Sequence, residues 1–156
     1  LENNLYKKIL IATDGSENSR NSVKLGIQIA KSTGAEVHAV TVVPSLSLPT
    51  QMKTHIEELD SPYCTIKQVA NKAIGHVIDI GKKEDIHVKG VILEGHPPDQ
   101  LTCYAHANDF DLIVLGSLGR TGFERFLIGS VAEKVVRHSK IKVLVVPSSK
   151  KKKEDD

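Results

Sequence analysis

Short apolar runs alternate along this chain with segments of helical periodicity, and that alternation restricts the possible folds more than any other feature. Ile9-Leu10-Ile11-Ala12 comes first, followed by residues 36–43, 86–93, 110–115 and 141–146. Strands buried on both faces read as continuous apolar runs rather than as alternating ones. Strands separated by helices build βαβ units, and those units pack around a parallel sheet. The chain is therefore expected to be α/β, with a five-stranded parallel sheet.

The intervening segments carry their own stop and start signals. Thr13-Asp14-Gly15-Ser16 closes the first run with turn and capping residues. A helix is expected from there to about Lys31, with Val23, Ile27 and Ala30 on one face and Gly34 as its stop. Pro44 and Pro49 open a polar stretch to Asp60 that shows no periodic pattern. Ser61-Pro62 reads as an N-cap with proline in the first helical position. Ile66, Val69, Ala73, Val77 and Ile80 then mark one face of a long helix expected to stop at Gly81. Gly95-His96-Pro97-Pro98 turns into a short helix with Leu101, Tyr104 and Ala105, and a last helix is expected over residues 130–138. Residues 1–147 are read as one domain, and residues 148–156, a lysine run followed by acids, as a charged flexible tail.

Composition removes several classes of function. No apolar run approaches 18 residues, so no membrane span is expected, and no signal peptide is expected either. Cys64 and Cys103 are far apart, which excludes a disulfide framework and a CxxC metal site and points to a cytoplasmic protein. The net charge of +2 is too small to argue for nucleic acid, and three Tyr, three Phe and no Trp supply stacking platforms poorly, so no nucleic-acid partner is expected. The seven histidines show no HxxxH or HExxH spacing, so a metal held by protein ligands alone is not expected. His96 and His106 read as surface residues, and Cys103 as a packed one.

The chemistry concentrates after the fourth strand, where Gly116, Gly119 and Gly122 leave the sheet and Gly129-Ser130 opens the last helix. Glycines there let backbone N–H groups approach a ligand closely. A helix N-terminus offers unpaired donors and about half a positive charge, which suits a phosphate. Each glycine alone is also compatible with an ordinary turn, and Asp14 with an ordinary helix N-cap. Arg120 and Arg125 lie inside the loop; Arg120 could approach phosphates, and Arg125 reads better as a solvated side chain. Neither a GxxxxGK[ST] loop nor a GxGxxG after the first strand exists, so both standard nucleotide fingerprints are missing.

The spacing that does occur is G-x2-G-x9-G-[S/T], written by Gly116, Gly119, Gly129 and Ser130. It resembles the nucleotide loop of the universal stress protein family. The strand and loop at 9–16, Gly95-His96-Pro97, the stretch 111–117 and the closing Val143-Leu144-Val145-Val146-Pro147 are similar as well, so the resemblance covers residues 5–147. It implies a three-layer α/β/α, Rossmann-like fold of the adenine nucleotide alpha hydrolase type, with strand order 3-2-1-4-5. Strands one and four then lie side by side at a topological switch point, where such sheets bind ligands. The implied cofactor is ATP, with Mg or Mn bridging its phosphates. Its implied contacts are Ala12, Thr13 and Asp14 by the ribose and phosphates, the Val42 backbone at the adenine, and Gly116, Gly119, Gly129, Ser130 and Val131 around the phosphates. Leu118 departs from the family, where His or Arg is frequent, and removes a side-chain contact but not the backbone cradle.

Val143, Leu144, Val145 and Val146 form an apolar edge that invites pairing with another chain, and the resemblance implies a homodimer through this strand. The leading expectation is thus a cytoplasmic, ATP-binding, stress-response regulator acting as a homodimer. A member that binds AMP, another nucleotide or none, and serves as an interaction scaffold, is the alternative. A slow ATP hydrolase is the third reading, against which stands the lack of any clear acid or base beyond Asp14 aimed at the phosphates.

Overall fold

The computed structural model describes residues 4–45, 62–118 and 128–148. In chain order these form β1 (Lys8–Ala12), a 3-10 turn (Glu17–Ser19), α1 (Arg20–Thr33), β2 (Glu36–Val43), α2 (Pro62–Lys83), β3 (Val88–Glu94), α3 (Pro97–Ala107), β4 (Leu112–Gly116), α4 (Ser130–His138) and β5 (Lys142–Val146). The five strands make one parallel sheet in the order β3-β2-β1-β4-β5.

Alternation along β1 sorts the core into two layers. Ile9 and Ile11 pack with Val23, Ile27, Ile74 and Val77, on the side of α1 and α2. Leu10 and Ala12 pack with Leu101, Ala105, Ala132 and Val135, on the side of α3 and α4. The expected three-layer α/β/α arrangement is what these residues form. Among the described residues, no helix is long and apolar enough to cross a membrane.

Helix ends explain where the sequence reading and the structure part. Gly34 does stop α1: its φ is 71° and its N–H bonds to the Ala30 carbonyl at 2.8 Å. Gly81 does not stop α2, which runs on to Lys83. A Cβ at Gly81 would stand 2.5 Å from Cγ2 of Val88 and 2.8 Å from the Ile86 carbonyl, so this glycine allows close approach of helix and strand. The turn is made instead by Asp85, at φ 57°, with Ile86 N–H bonding back to the Gly81 carbonyl. Asp109, at φ 55°, repeats the device after α3, with Phe110 N–H bonding to the Ala105 carbonyl. For that reason β3 and β4 each begin two residues later than their apolar runs. Between Asp14 and α1, the 3-10 turn delays the α-helix to Arg20.

Candidate functional site

β1 is hydrogen-bonded to β2 on one side and β4 on the other, and the chain order reverses across it. Ligands of such sheets sit beyond the carboxyl ends of the strands at that reversal. The β1 loop there is tightly braced. Thr13 N–H donates to the Val40 carbonyl at 3.0 Å, and the buried Thr41 hydroxyl donates to the Thr13 carbonyl at 2.7 Å. The Thr13 hydroxyl accepts from Gly15 N–H at 3.1 Å and lies 3.2 Å from the Ser19 hydroxyl. Ala12 and Thr13 are therefore buried supports. Asp14 is half-buried, and one carboxylate oxygen accepts from Ser16 N–H at 2.9 Å in an Asx turn ahead of the helix. Gly15 follows at φ 77°, where a Cβ would meet Cβ of Ala73 at 3.0 Å, so the loop rests directly on α2.

Beside this loop lies a cleft of about 310 Å³, lined by Asp14, Thr41, Val42, Val43, Pro44, Ile66, Val69 and Ala70. Its floor is the end of β2 and its outer wall is the start of α2. Val69, expected on the buried face of that helix, is instead 38% exposed and belongs to the cleft. The backbone of Val42 faces the switch point. Backbone groups of successive strand residues point to opposite neighbours, and the Val40 carbonyl bonds toward β1 while the Val43 carbonyl bonds Gly95 N–H beyond β3. Val42 N–H and C=O thus point to the β1 side, past the last β1–β2 pair, Ala12 with Val40.

Across β1, the end of β4 closes against the same loop. A Cβ at Gly116 would stand 3.1 Å from the Asn18 carbonyl and 3.6 Å from Cα of Ser19. Ser117 N–H donates to the Val146 carbonyl at 2.9 Å, and Gly129 N–H donates to the Ser117 carbonyl at 2.5 Å. These bonds bring the start of α4 to the end of β4, and they engage the Gly129 amide within the protein. Gly129 is the N-cap, with φ −76° and ψ 165°, and no side chain caps the helix. By helix geometry the N–H groups of Ser130, Val131 and Ala132 then point out of the first turn without an intrahelical acceptor. Gly119, Arg120 and Arg125 lie outside the described residues.

The structure thus brings Asp14, Val42 and Gly116 to one end of the sheet, with Ser130 and Val131 joined to it through Ser117 and Gly129. It adds Thr41, Val43, Pro44, Ile66, Val69 and Ala70, which sequence reasoning missed. In the sequence, Ile66 and Val69 carry the same periodic signal as core residues, so nothing in it marks them as cleft wall. Among the described residues, no group of three or more His, Cys, Asp or Glu could hold a metal ion. Cys103 is exposed rather than packed, because its position on α3 falls between the buried Leu101 and Ala105.

Another polar cluster, toward the amino end of β2, is structural. His38 is buried, with Nδ1 3.0 Å from the Tyr104 hydroxyl and Nε2 2.6 Å from a Glu36 carboxylate oxygen. The Phe110 ring meets the imidazole edge-on at 4.9 Å. The His38 hydrogen bond holds the Glu36 carboxyl below its usual range, and burial followed by the Glu36 charge raises Tyr104.

Residues 5–147 match the model of the Universal stress protein family. The chain belongs to the universal stress protein family. A universal stress protein of Methanocaldococcus jannaschii is 40% identical over 152 residues, covering 95% of this chain and 86% of that protein. The crystal structure of a universal stress protein in complex with cAMP aligns with a TM-score of 0.67 at 26% identity, over 92% of this chain and 98% of that one. A universal stress protein of Archaeoglobus fulgidus in complex with dAMP shares the fold, with a TM-score of 0.65 at 20% identity, over 90% and 98% of the two chains.

Proposed function

We propose that this universal stress protein binds an adenine nucleotide, ATP in the first place, with the base in the cleft and the phosphates toward the start of α4. The cleft at the switch point carries this reading. Its volume, about 310 Å³, is at the small end of ligand pockets and suits a nucleoside rather than a whole triphosphate. Val42, Val43, Pro44, Ile66, Val69 and Ala70 give it apolar walls for a purine, and the adjacent Val42 N–H and C=O offer a donor and an acceptor to the adenine edge. The open first turn of α4 attracts the phosphates, with Gly119 and Arg120 as further candidates. Among the described residues, Asp14 is the one carboxylate lining the cleft, and it would give a bridging Mg2+ or Mn2+ a single protein oxygen. That suits an ion held mainly by phosphate oxygens and water.

The protein would act as a cytoplasmic stress-response regulator, as a homodimer through the edge strand β5. Val143 and Val145 pack toward α3 and α4, and Leu144 and Val146 toward α1, so pairing would use the backbone edge. The relative solved with cAMP favours a second reading, in which the preferred nucleotide is not ATP and the protein works as a scaffold.

Calorimetric titration with ATP, cAMP and AMP, with and without Mg2+, tests the placement through two variants. Gly129→Val occupies a φ and ψ that valine adopts readily, so the variant should fold, yet its branched side chain crowds the phosphate approach and should abolish binding. Asp14→Asn keeps the Asx turn and should weaken only the Mg2+-dependent part. Unchanged affinity in Gly129→Val, in a wild type that binds, would move the phosphates away from α4.

A further inference from the structure

Among the described residues, one buried side-chain polar atom has no hydrogen-bond partner: the hydroxyl oxygen of Ser16. The rest of that residue is fully engaged. Its N–H donates to Asp14 at 2.9 Å, and its carbonyl accepts from Ser19 N–H at 3.2 Å and from the Ser19 hydroxyl at 2.8 Å. A buried hydroxyl left unpaired costs stability, so native structures rarely keep one without a use. Nor does Ser16 act as a cap for the 3-10 turn it precedes, since no side-chain capping bond forms there.

Its place in the loop lies between two contacts at the end of the sheet. Gly15, just before it, rests against Ala73 of α2, beside the cleft. Asn18 and Ser19, just after it, touch Gly116 at the end of β4. Ser16 therefore stands on the crossing from the base side of the switch point to the phosphate side, two residues past Asp14. A serine hydroxyl reaches a new partner by rotation about χ1, without backbone movement.

We infer that Ser16 is a ligand-binding residue whose hydroxyl, idle in the free protein, donates to a phosphate oxygen of the bound nucleotide. This rests on the nucleotide reading above and adds to it a contact that none of the glycine-loop spacing contains. The idle hydroxyl stores a small instability that the ligand relieves. Removing it must therefore act with opposite signs on the free protein and on the complex.

Ser16→Ala, with Ser16→Thr as the hydroxyl-retaining control, tests this by thermal melts without ligand and by competition binding of adenosine, AMP and ATP. Ser16→Ala should raise the melting temperature of the free protein by about 2–4 °C, as loss of an unsatisfied buried group does in a domain of this size. It should weaken ATP binding roughly ten- to a hundredfold, the range for a hydrogen bond to a charged acceptor, and leave adenosine unaffected. Ser16→Thr should restore ATP affinity to within a fewfold of wild type. An unchanged ATP affinity overturns the inference while leaving the nucleotide reading intact. An equal loss for adenosine, or a lowered melting temperature from a hydroxyl that water had satisfied, overturns it too. A wild type that binds no nucleotide at all removes the reading beneath it.

Discussion

Two helical glycines offer the same chemical change with opposite expected signs. Glycine to alanine inside a helix gains about 1 kcal/mol from backbone propensity alone. At Gly75, in α2, a new Cβ meets nothing within 4 Å, so Gly75→Ala should keep that gain. At Gly26, in α1, the Cβ would stand 2.6 Å from Cδ1 and 2.8 Å from Cγ1 of Ile11, and 3.7 Å from Cβ of Val114. Carbon atoms pack best at about 3.5–4.0 Å, so the overlap approaches 1 Å. Ile11 is fully buried beneath α1, and a close-packed interior leaves it little room to turn away. Overpacking of this kind costs about 1–3 kcal/mol, which cancels or exceeds the propensity gain. Urea and thermal melts should place Gly75→Ala about 2–4 °C above wild type and Gly26→Ala at or below it. A double-mutant cycle locates the cause. Ile11→Ala removes both clashing atoms, so its usual cost of about 2–5 kcal/mol should shrink by about 1–3 kcal/mol when Gly26→Ala is already in place. If Gly26→Ala stabilises as much as Gly75→Ala, or if the cycle is additive within about 0.5 kcal/mol, α1 does not pack on β1 as closely as the structure has it.

Thr41→Val deletes the 2.7 Å hydrogen bond to the Thr13 carbonyl at constant shape and should cost about 1 kcal/mol, read as a melting temperature lower by about 2–4 °C. Val143 and Val145 turn their backbone groups away from β4, because the Val146 carbonyl points toward it, so Val145→Pro should abolish the proposed dimer in sedimentation runs and leave a folded monomer. Leu144→Pro, which removes a donor on the β4 side, should unfold the strand instead. Acid titration tests Glu36, whose carboxyl the His38 bond holds below its usual range. A depressed native value gives stability that is present above the unfolded value and is lost as pH falls through the native one. Glu36→Gln should therefore flatten the acid limb of a stability-versus-pH curve, and an unaltered limb would show that the bond contributes nothing.

The sheet was legible because its central strands, β2, β1 and β4, are buried on both faces, and the edge strands β3 and β5 still carry apolar runs. Ile9 to Ala12 could hardly be anything else, and residues 36–43 form β2 with the bounds read from the sequence. The starts of β3 and β4 were not legible, because the turns before them use Asp85 and Asp109 in a left-handed conformation that aspartate adopts less often than glycine. Gly81 looked like a stop for the converse reason: a glycine that admits a neighbouring strand is spelled the same way as one that ends a helix. Asp14 as a turn residue, Gly116 as a strand end and Ser130 as a helix start were readable, since turn and cap chemistry is local. The α2 wall of the cleft was not, because whether Val69 faces core or cleft depends on where β2 ends relative to that helix. Ser16 looked like one more capping residue, and only its missing partner sets it apart.

The central claim is that one adenine nucleotide sits between the cleft and the start of α4. Amide NMR spectra of the 15N-labelled protein, recorded through a titration with ATP and Mg2+, test it most directly. Saturable shifts are predicted at Asp14, Ser16, Val42, Ser130 and Val131, all fitting one dissociation constant, while Lys89 on β3 and His106 on α3 stay fixed. A spectrum unchanged at millimolar ATP would contradict the claim, and so would shifts that saturate elsewhere and leave those five amides in place.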